Sequence, residues 1–408
     1  MLKPRSDGGG RRRAAAFVRA TGAPVAAATS AQARRIRDVD ALRGFALLGI
    51  LLVNAQTMAG PYEGQGASGT VEERIAAWLV TALVSSKFYL LFAFLFGYSF
   101  TLQARSAERE SAAFAGRMLR RLVCLWCLGL AHAVLLFPGD ILMTYAVLGL
   151  VLFAMRGVAP RTAARAAVVL VVCLGVLLLG KGMLTLGTTS PGAGAAADTA
   201  TAVADYRGAP ASVVHANLRQ WRDLLAGDLL YMPHILAAFL VGLAAGKRRV
   251  LAEFDRYRGL ARRLVVYGLP TGLVGGAVTA MCRNGPLDAR WSGVGAAVGV
   301  FAAPVLAAAY GCGLLLLLRT RHGRRAAEAL AAAGRVALTN YLTQSLVMAL
   351  VFTGYGLALY GRVGLVPVLA GCLVLCAGQL ALSAWLVRRF RYGPLEWVLR
   401  TVTRGRGT

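Results

Sequence analysis

Ten times along this chain a run of about 20 mostly apolar residues recurs, the length a helix needs to cross a hydrocarbon core of about 30 Å. The runs fall at 39–58, 77–101, 118–137, 140–156, 166–187, 228–246, 260–281, 292–317, 336–352 and 364–387. Inside lipid no water is available to the backbone, so each run must satisfy its own N–H and C=O groups as a helix. The runs are too long for barrel strands and lack the alternation a membrane barrel needs. Composition agrees: 57% of the 408 residues are hydrophobic and 15% are charged, with a mean hydropathy of +0.60. The expected fold is all-α, a polytopic membrane helix bundle. One domain covers 36–400, with a basic arm at 1–35 and a basic tail at 401–408.

Charge tests this topology. With the N-terminus cytoplasmic, 35 of the 45 basic residues fall on the cytoplasmic side or at the adjoining helix ends, and nine fall on the other side. Arg43 lies inside the first span and belongs to neither set. Such a bias is what the positive-inside rule requires, so both termini are expected to be cytoplasmic in the cell membrane. The net charge of +27 then reads as helix anchoring and attraction to anionic lipid headgroups. Nucleic-acid binding is not expected, because no basic-and-aromatic platform or helix-turn-helix appears.

The seven cysteines give no disulfide framework. Cys124 and Cys127 sit inside a span, where packing is the simpler reading than metal or redox chemistry. No metal-ligand spacing, phosphate-binding glycine loop or Ser-His-Asp arrangement is present. The long connection 188–227 begins TTSPGAGAAADTA, which reads as a linker. Its second half reads as an amphipathic helix on the outer face, with Trp221 at headgroup level.

Polar residues inside spans are costly and mark function by default. In RDVDALRGFALLGILLVN, Asp40 and Arg43 are spaced to pair across one helical turn, and Asn54 lies further towards the outer face. In AHAVLLFPGDILMTYA, Pro138-Gly139 makes a tight turn and Asp140 suits the N-cap of the next span. His132 precedes that turn. An imidazole titrates near neutrality and suits proton transfer, although an interhelical hydrogen bond explains it too. In GRVALTNYLTQS, Arg335, Asn340, Tyr341 and Gln344 form a polar strip running from the cytoplasmic surface. The strip either lines a groove for a polar ligand or joins helices by hydrogen bonds. In RRFRYGPLEWVLR, Glu396 is the single acid of an interfacial segment and is expected to pair locally with arginine.

Together DALRGFALLGILLVN, the His-x(7)-Asp stretch, GRVALTNYLTQS and FRYGPLEW resemble the YeiB-like family of bacterial multi-pass membrane proteins, over about residues 36–400. That family is similar to transmembrane acyltransferases such as heparan-α-glucosaminide N-acetyltransferase, which move an acyl group from cytosolic acyl-CoA to an acceptor across the membrane. The resemblance implies acyl-CoA, acetyl-CoA in the first instance, as co-substrate, with no metal. It implies a catalytic role for His132, the membrane-embedded histidine near the non-cytoplasmic side.

The residues accommodate such chemistry. Arginines on the cytoplasmic rim suit the phosphates of acyl-CoA. The strip of Asn340, Tyr341 and Gln344 would guide its pantetheine arm. His132 would serve as base or acyl carrier beside Asp140, and Asn54 and Tyr145 would donate to the oxyanion. The expected partners are the bilayer, acyl-CoA and an outer-face acceptor (glycan, lipid or small molecule), with a homodimer left open. A transporter or flippase, or a non-catalytic membrane scaffold, is the competing reading. No inverted repeat of broken helices is evident in the sequence.

Overall fold

The computed structural model describes residues 37–61, 70–109, 114–186, 194–390 and 392–404. The N-terminal arm and the last residues of the tail lie outside them. Among the described residues the chain is a bundle of α-helices without strands. Eight helices are long and apolar enough to cross a membrane, and two shorter apolar helices accompany them, Ile141–Gly157 and Ala337–Phe352. These ten segments coincide with the ten runs read from the sequence, and the protein is a multi-pass membrane protein.

In chain order, α1 is Arg37–Met58, α2 Val71–Leu79, α3 Lys87–Arg109, α4 Phe114–Leu135 and α5 Ile141–Ala154. They are followed by α6 Pro160–Leu186, α7 Gly194–Arg207, α8 Pro210–Lys247, α9 Phe254–Arg263 and α10 Leu269–Asn284. The chain ends with α11 Ser292–Leu318, α12 Arg324–Arg335, α13 Ala337–Phe352, α14 Leu365–Arg389 and α15 Pro394–Arg404. The spans run alternately between an arginine-rich end, here the basic end, and a far end.

The central contact is α3 against α8, with α6 on α8 and α10 on α11. Small residues let α3 and α8 approach. A Cβ on Gly97 would collide with the Phe239 carbonyl, and one on Gly242 with the Phe94 carbonyl. Backbones that close gain dispersion contacts, the main attraction left between helices in lipid. Phe96 stacks on Phe239 across this seam, centroids 4.7 Å apart, and Tyr145 meets Phe239 edge-on at 5.0 Å.

Two features depart from the sequence expectation. The second span is broken: α2 passes through a π-helical turn at Val80–Val84 and ends before Ser86, whose φ is +71°. Lys87, 3% exposed, then starts α3 and donates to the Thr81 carbonyl at 2.8 Å, bridging the break. In the connection 188–227, residues 188–193 of the expected linker lie outside the described residues; its remainder is helical from Gly194 as α7, and the amphipathic second half is continuous with the next span as α8. At 38 residues α8 is about 57 Å long at 1.5 Å per residue, well beyond the membrane thickness. Its projecting half and α7 cover the far end. The Tyr206 hydroxyl lies 2.9 Å from Asn217 Oδ1, and Asn217 Nδ2 donates to the Val134 carbonyl at 3.0 Å. Arg207 Nε donates to the Tyr360 carbonyl at 2.7 Å.

Several helix ends are closed by distant charged side chains. Glu73 accepts from the backbone N–H of Leu365 at 2.6 Å, at the start of α14. Lys247 Nζ donates to the Arg156 carbonyl at 2.6 Å, just beyond α5. Unpaired terminal groups near lipid find no bulk water, and the helix dipole favours an acid at the N-terminus and a base at the C-terminus.

Candidate functional site

The site is built around the α4–α5 hairpin. α4 ends at Leu135, Pro138-Gly139 turns the chain, and Asp140 caps α5 by accepting from Met143 N–H through Oδ2 at 2.7 Å. Its other oxygen, Oδ1, is 2.8 Å from His132 Nδ1. Both residues are buried, at 2% exposure for His132 and 7% for Asp140. As a carboxylate Asp140 only accepts, so Nδ1 carries a proton, and in the neutral ring Nε2 presents a lone pair. Gly129 makes room for this arrangement: a Cβ there would lie 2.5 Å from Asp140 Oδ2 and 2.7 Å from Met143 N. The Tyr341 ring packs against His132, centroids 5.0 Å apart. His132 Nε2 is buried and has no hydrogen-bond partner among the described residues, and the buried Tyr341 hydroxyl lies against the Asp140 carboxylate and the Ile141 backbone. The two side chains put a nitrogen without a partner beside a phenol that faces the same carboxylate.

Two cavities approach this pair from opposite ends. The basic cavity, about 600 Å³, is walled near its mouth by Arg43, Arg117, Arg121, Arg335 and Arg400 and floored by Leu47, Phe92, Phe96, Leu142, Tyr145 and Tyr341. Arg43 is held by Asp40 at 2.9 Å and donates to Ser99 Oγ at 3.0 Å. The far cavity, about 330 Å³, is lined by Asn54, Ser86, Asp140, Thr144, Asp228 and Arg283, among others. Ile50 and Ile141 line both cavities. Asp140 therefore faces the far cavity, Tyr341 faces the basic one, and His132 is buried behind them, lining neither.

With this arrangement in view the comparisons are informative. The chain is 30% identical to the uncharacterized protein YxaH of Bacillus subtilis (strain 168) over 393 residues, covering 90% of this chain and 94% of the relative. The chain belongs to the YeiB-like family. It is 28% identical to the uncharacterized protein YeiB of Escherichia coli (strain K12) over 384 residues, or 90% of this chain and 95% of that one. Residues 245–406 match the family described as "Protein of unknown function (DUF418)". In this member of the family, that matched part supplies α12 to α15, and hence Arg335, Tyr341 and Glu396 of the basic cavity.

The remaining expected residues fall into two groups. Asp140, Asn54, Asp40, Arg43, Arg335 and Tyr341 line one or other cavity, and His132 lies behind Asp140, which it contacts. Asn340 and Gln344 line neither cavity and join α13 to α14. Asn340 Nδ2 donates to Ser383 Oγ at 2.9 Å, Gln344 Nε2 to Gln379 Oε1 at 2.7 Å, and Gln379 Nε2 to the Asn340 carbonyl at 3.1 Å. On a helix with polar residues at i and i+4, the face that meets a polar neighbour is the one that buries. Tyr145 lines the basic cavity, but its hydroxyl donates to the Tyr89 carbonyl at 2.8 Å, so that proton is already committed. Glu396 serves a helix end. It accepts from the N–H groups of Leu338 and Thr339 at 2.7 and 3.0 Å and from Thr339 Oγ1 at 2.6 Å, capping α13.

Sequence pattern does not single out Asp228, Arg283 or Arg121. Arg117 and Arg121 carried a usable signal, since an i, i+4 spacing puts both on one face of α4. Asp228 stands at the edge of an apolar run, where an acid also reads as an ordinary helix end.

Proposed function

We propose that this protein is an integral membrane acyltransferase, moving an acyl group from cytosolic acyl-CoA in the basic cavity to an acceptor in the far cavity. The observation that carries the reading is that two cavities, one basic and one polar, share Ile50 and Ile141 as a common wall in front of the His132–Asp140 pair. One cavity offers several arginines to a polyphosphate and an apolar floor to a thin thioester arm. The other is smaller and polar. The basic end is cytoplasmic in this reading, by the charge bias, and the membrane is the cell membrane.

In this scheme the acceptor heteroatom attacks the thioester carbonyl, a C–O or C–N bond forms and the C–S bond breaks. An acceptor that reaches past Asp140 and Tyr341 would give its proton to His132 Nε2, which returns it to the departing CoA thiolate, while Asp140 holds the ring and stabilises the imidazolium. The Tyr341 hydroxyl would donate to the developing oxyanion by turning from the Asp140 carboxylate it lies against, with Asn54 on the acceptor side.

A second reading has its own observation. The helix broken at Ser85-Ser86 reaches the far cavity through Ser86, as discontinuous helices do in transporters. The deciding experiment measures acetyl-CoA binding and CoA release by the purified full chain and by His132→Ala. Binding by both, with release by the wild type alone, supports acyl transfer. Failure of both to bind acetyl-CoA removes that reading, and solute uptake into proteoliposomes without thioester loss would replace it.

A further inference from the structure

The far cavity carries a separation of charge that acyl transfer does not use. On one wall Asp228, from α8, lies close enough to Asp140 for the two carboxylates to repel. Asp140 is satisfied by His132 and by the α5 N-terminus, whereas Asp228 makes no hydrogen bond or salt bridge among the described residues. On another wall Arg283, at the end of α10, stands exposed, with Lys87 behind it as a second cation. Neither base pairs with an acid among the described residues, and Lys87 is spent on the Thr81 carbonyl. Asp228 and Arg283 form no ion pair with each other. An acid and a base that face one small cavity without meeting leave room for a ligand that meets both.

We infer that the far cavity is a binding site for a zwitterionic small group, its ammonium held by the half-buried Asp228 and its anionic end held by the exposed Arg283. The ammonium occupies the side where two carboxylates gather, relieving their repulsion. The anion occupies the side where Arg283 lines the cavity. Asn54, Ser86 and Thr144 supply neutral hydrogen-bond partners between the two poles. The volume of about 330 Å³ sits at the lower end of small-molecule pockets, which suits a headgroup-sized ligand. A metal ion fits poorly, because no cluster of three ligating side chains occurs among the described residues. The inference stands on the cavity alone and holds whether or not the protein transfers acyl groups.

The test reads binding, not turnover. Calorimetric titration of the full chain in detergent would compare O-phosphoethanolamine with its two halves, ethanolamine and inorganic phosphate. Each charge-assisted contact made in a partly enclosed site is expected to tighten binding about tenfold, so the zwitterion should bind at least that much better than either half. Asp228→Asn should reduce its affinity to that of phosphate, and Arg283→Gln to that of ethanolamine, with unchanged thermal unfolding showing that both variants are folded. A zwitterion that binds no better than its halves, or variants that bind it as the wild type does, overturns the inference. Repeating the titration in nanodiscs separates the sources of the ligand. Competition in phosphatidylethanolamine discs but not in phosphatidylglycerol discs identifies a lipid headgroup, and equal affinity in both identifies a free solute; either result requires that the site binds the probe.

Discussion

His132 Nδ1 and Asp140 Oδ1 stand 2.8 Å apart, and the same carboxylate caps α5 through its other oxygen at 2.7 Å. One side chain therefore fixes both a helix start and an imidazole tautomer, and the two duties can be separated. Asparagine caps as well as aspartate, so Asp140→Asn should keep the fold while removing the charge that stabilises the imidazolium. CoA release should fall by about 10² to 10⁴, the range for losing a general base or its orientation. Asp140→Ala should lose the same activity and also about 1 kcal/mol of stability, the usual value of a cap. Turnover and thermal unfolding measured together check this. An asparagine variant with full turnover would show that the pair is only a packing contact.

Gly129 gives a steric test of the same corner. A methyl group there would press on the Asp140 carboxylate and the Met143 amide, both pinned by hydrogen bonds. Gly129→Ala should therefore destabilise the protein by about 1–3 kcal/mol, as overpacking does. Gly116→Ala, on the same helix with nothing within 4 Å, should be silent. Size-exclusion thermal melts of the two variants are the comparison, and equal melts would place the carboxylate elsewhere.

How much of this was legible in the sequence depends on the range of the interaction. Helix number and the alternation of ends follow from apolar length and arginine placement, which are properties of each segment by itself. The His132–Asp140 pair spans one tight hairpin and was readable for the same reason. The Asn340 and Gln344 strip was visible as polar, but which neighbour it meets depends on how α14 docks, and no local pattern states that. The caps given by Glu73 and Glu396 lie 292 and 58 residues from the amides they serve. A carboxylate near a span edge reads as solvated until the fold brings a bare helix N-terminus to it. The far cavity was hidden likewise, since Asp140, Asp228 and Arg283 come from α5, α8 and α10.

Glu396 ties α15 to the start of α13, so its loss should act at two places. Glu396→Ala leaves the Leu338 and Thr339 amides without their acceptor, at a cost of about 1–3 kcal/mol for buried groups. It should also free α15, which walls the basic cavity through Leu399, Arg400 and Thr403. Limited proteolysis at the C-terminus should quicken while the remaining bundle stays protected. Glu396→Gln, which keeps one acceptor oxygen, should behave in between.

The basic cavity predicts a salt-sensitive polyanion site. Arg121→Gln and Arg335→Gln each remove one cation from its wall, and each should weaken CoA binding by about tenfold at low ionic strength. The difference should shrink as salt is raised, because screening shortens the reach of exposed charges. Binding measured across a salt series decides the matter. A CoA affinity that ignores both substitutions would remove the cavity as the nucleotide site.

The polar strip on α13 separates packing from ligand binding. Gln344 and Gln379 are both buried, at 3% and 5% exposure, and bond to each other at 2.7 Å. Gln344→Leu removes one partner and leaves the Gln379 carbonyl oxygen without its donor, so it should destabilise by about 1–3 kcal/mol. Replacing both glutamines by leucine removes the polar atoms together. In an apolar seam that double change should recover most of the loss, although Gln379 Nε2 also serves the Asn340 carbonyl at 3.1 Å and a remainder is expected there. Neither residue lines the basic or the far cavity, so acetyl-CoA affinity should follow the folded fraction and nothing else. A double variant that melts like the wild type yet fails to bind acetyl-CoA would return the strip to the ligand path, and one that binds normally assigns it to the α13–α14 seam.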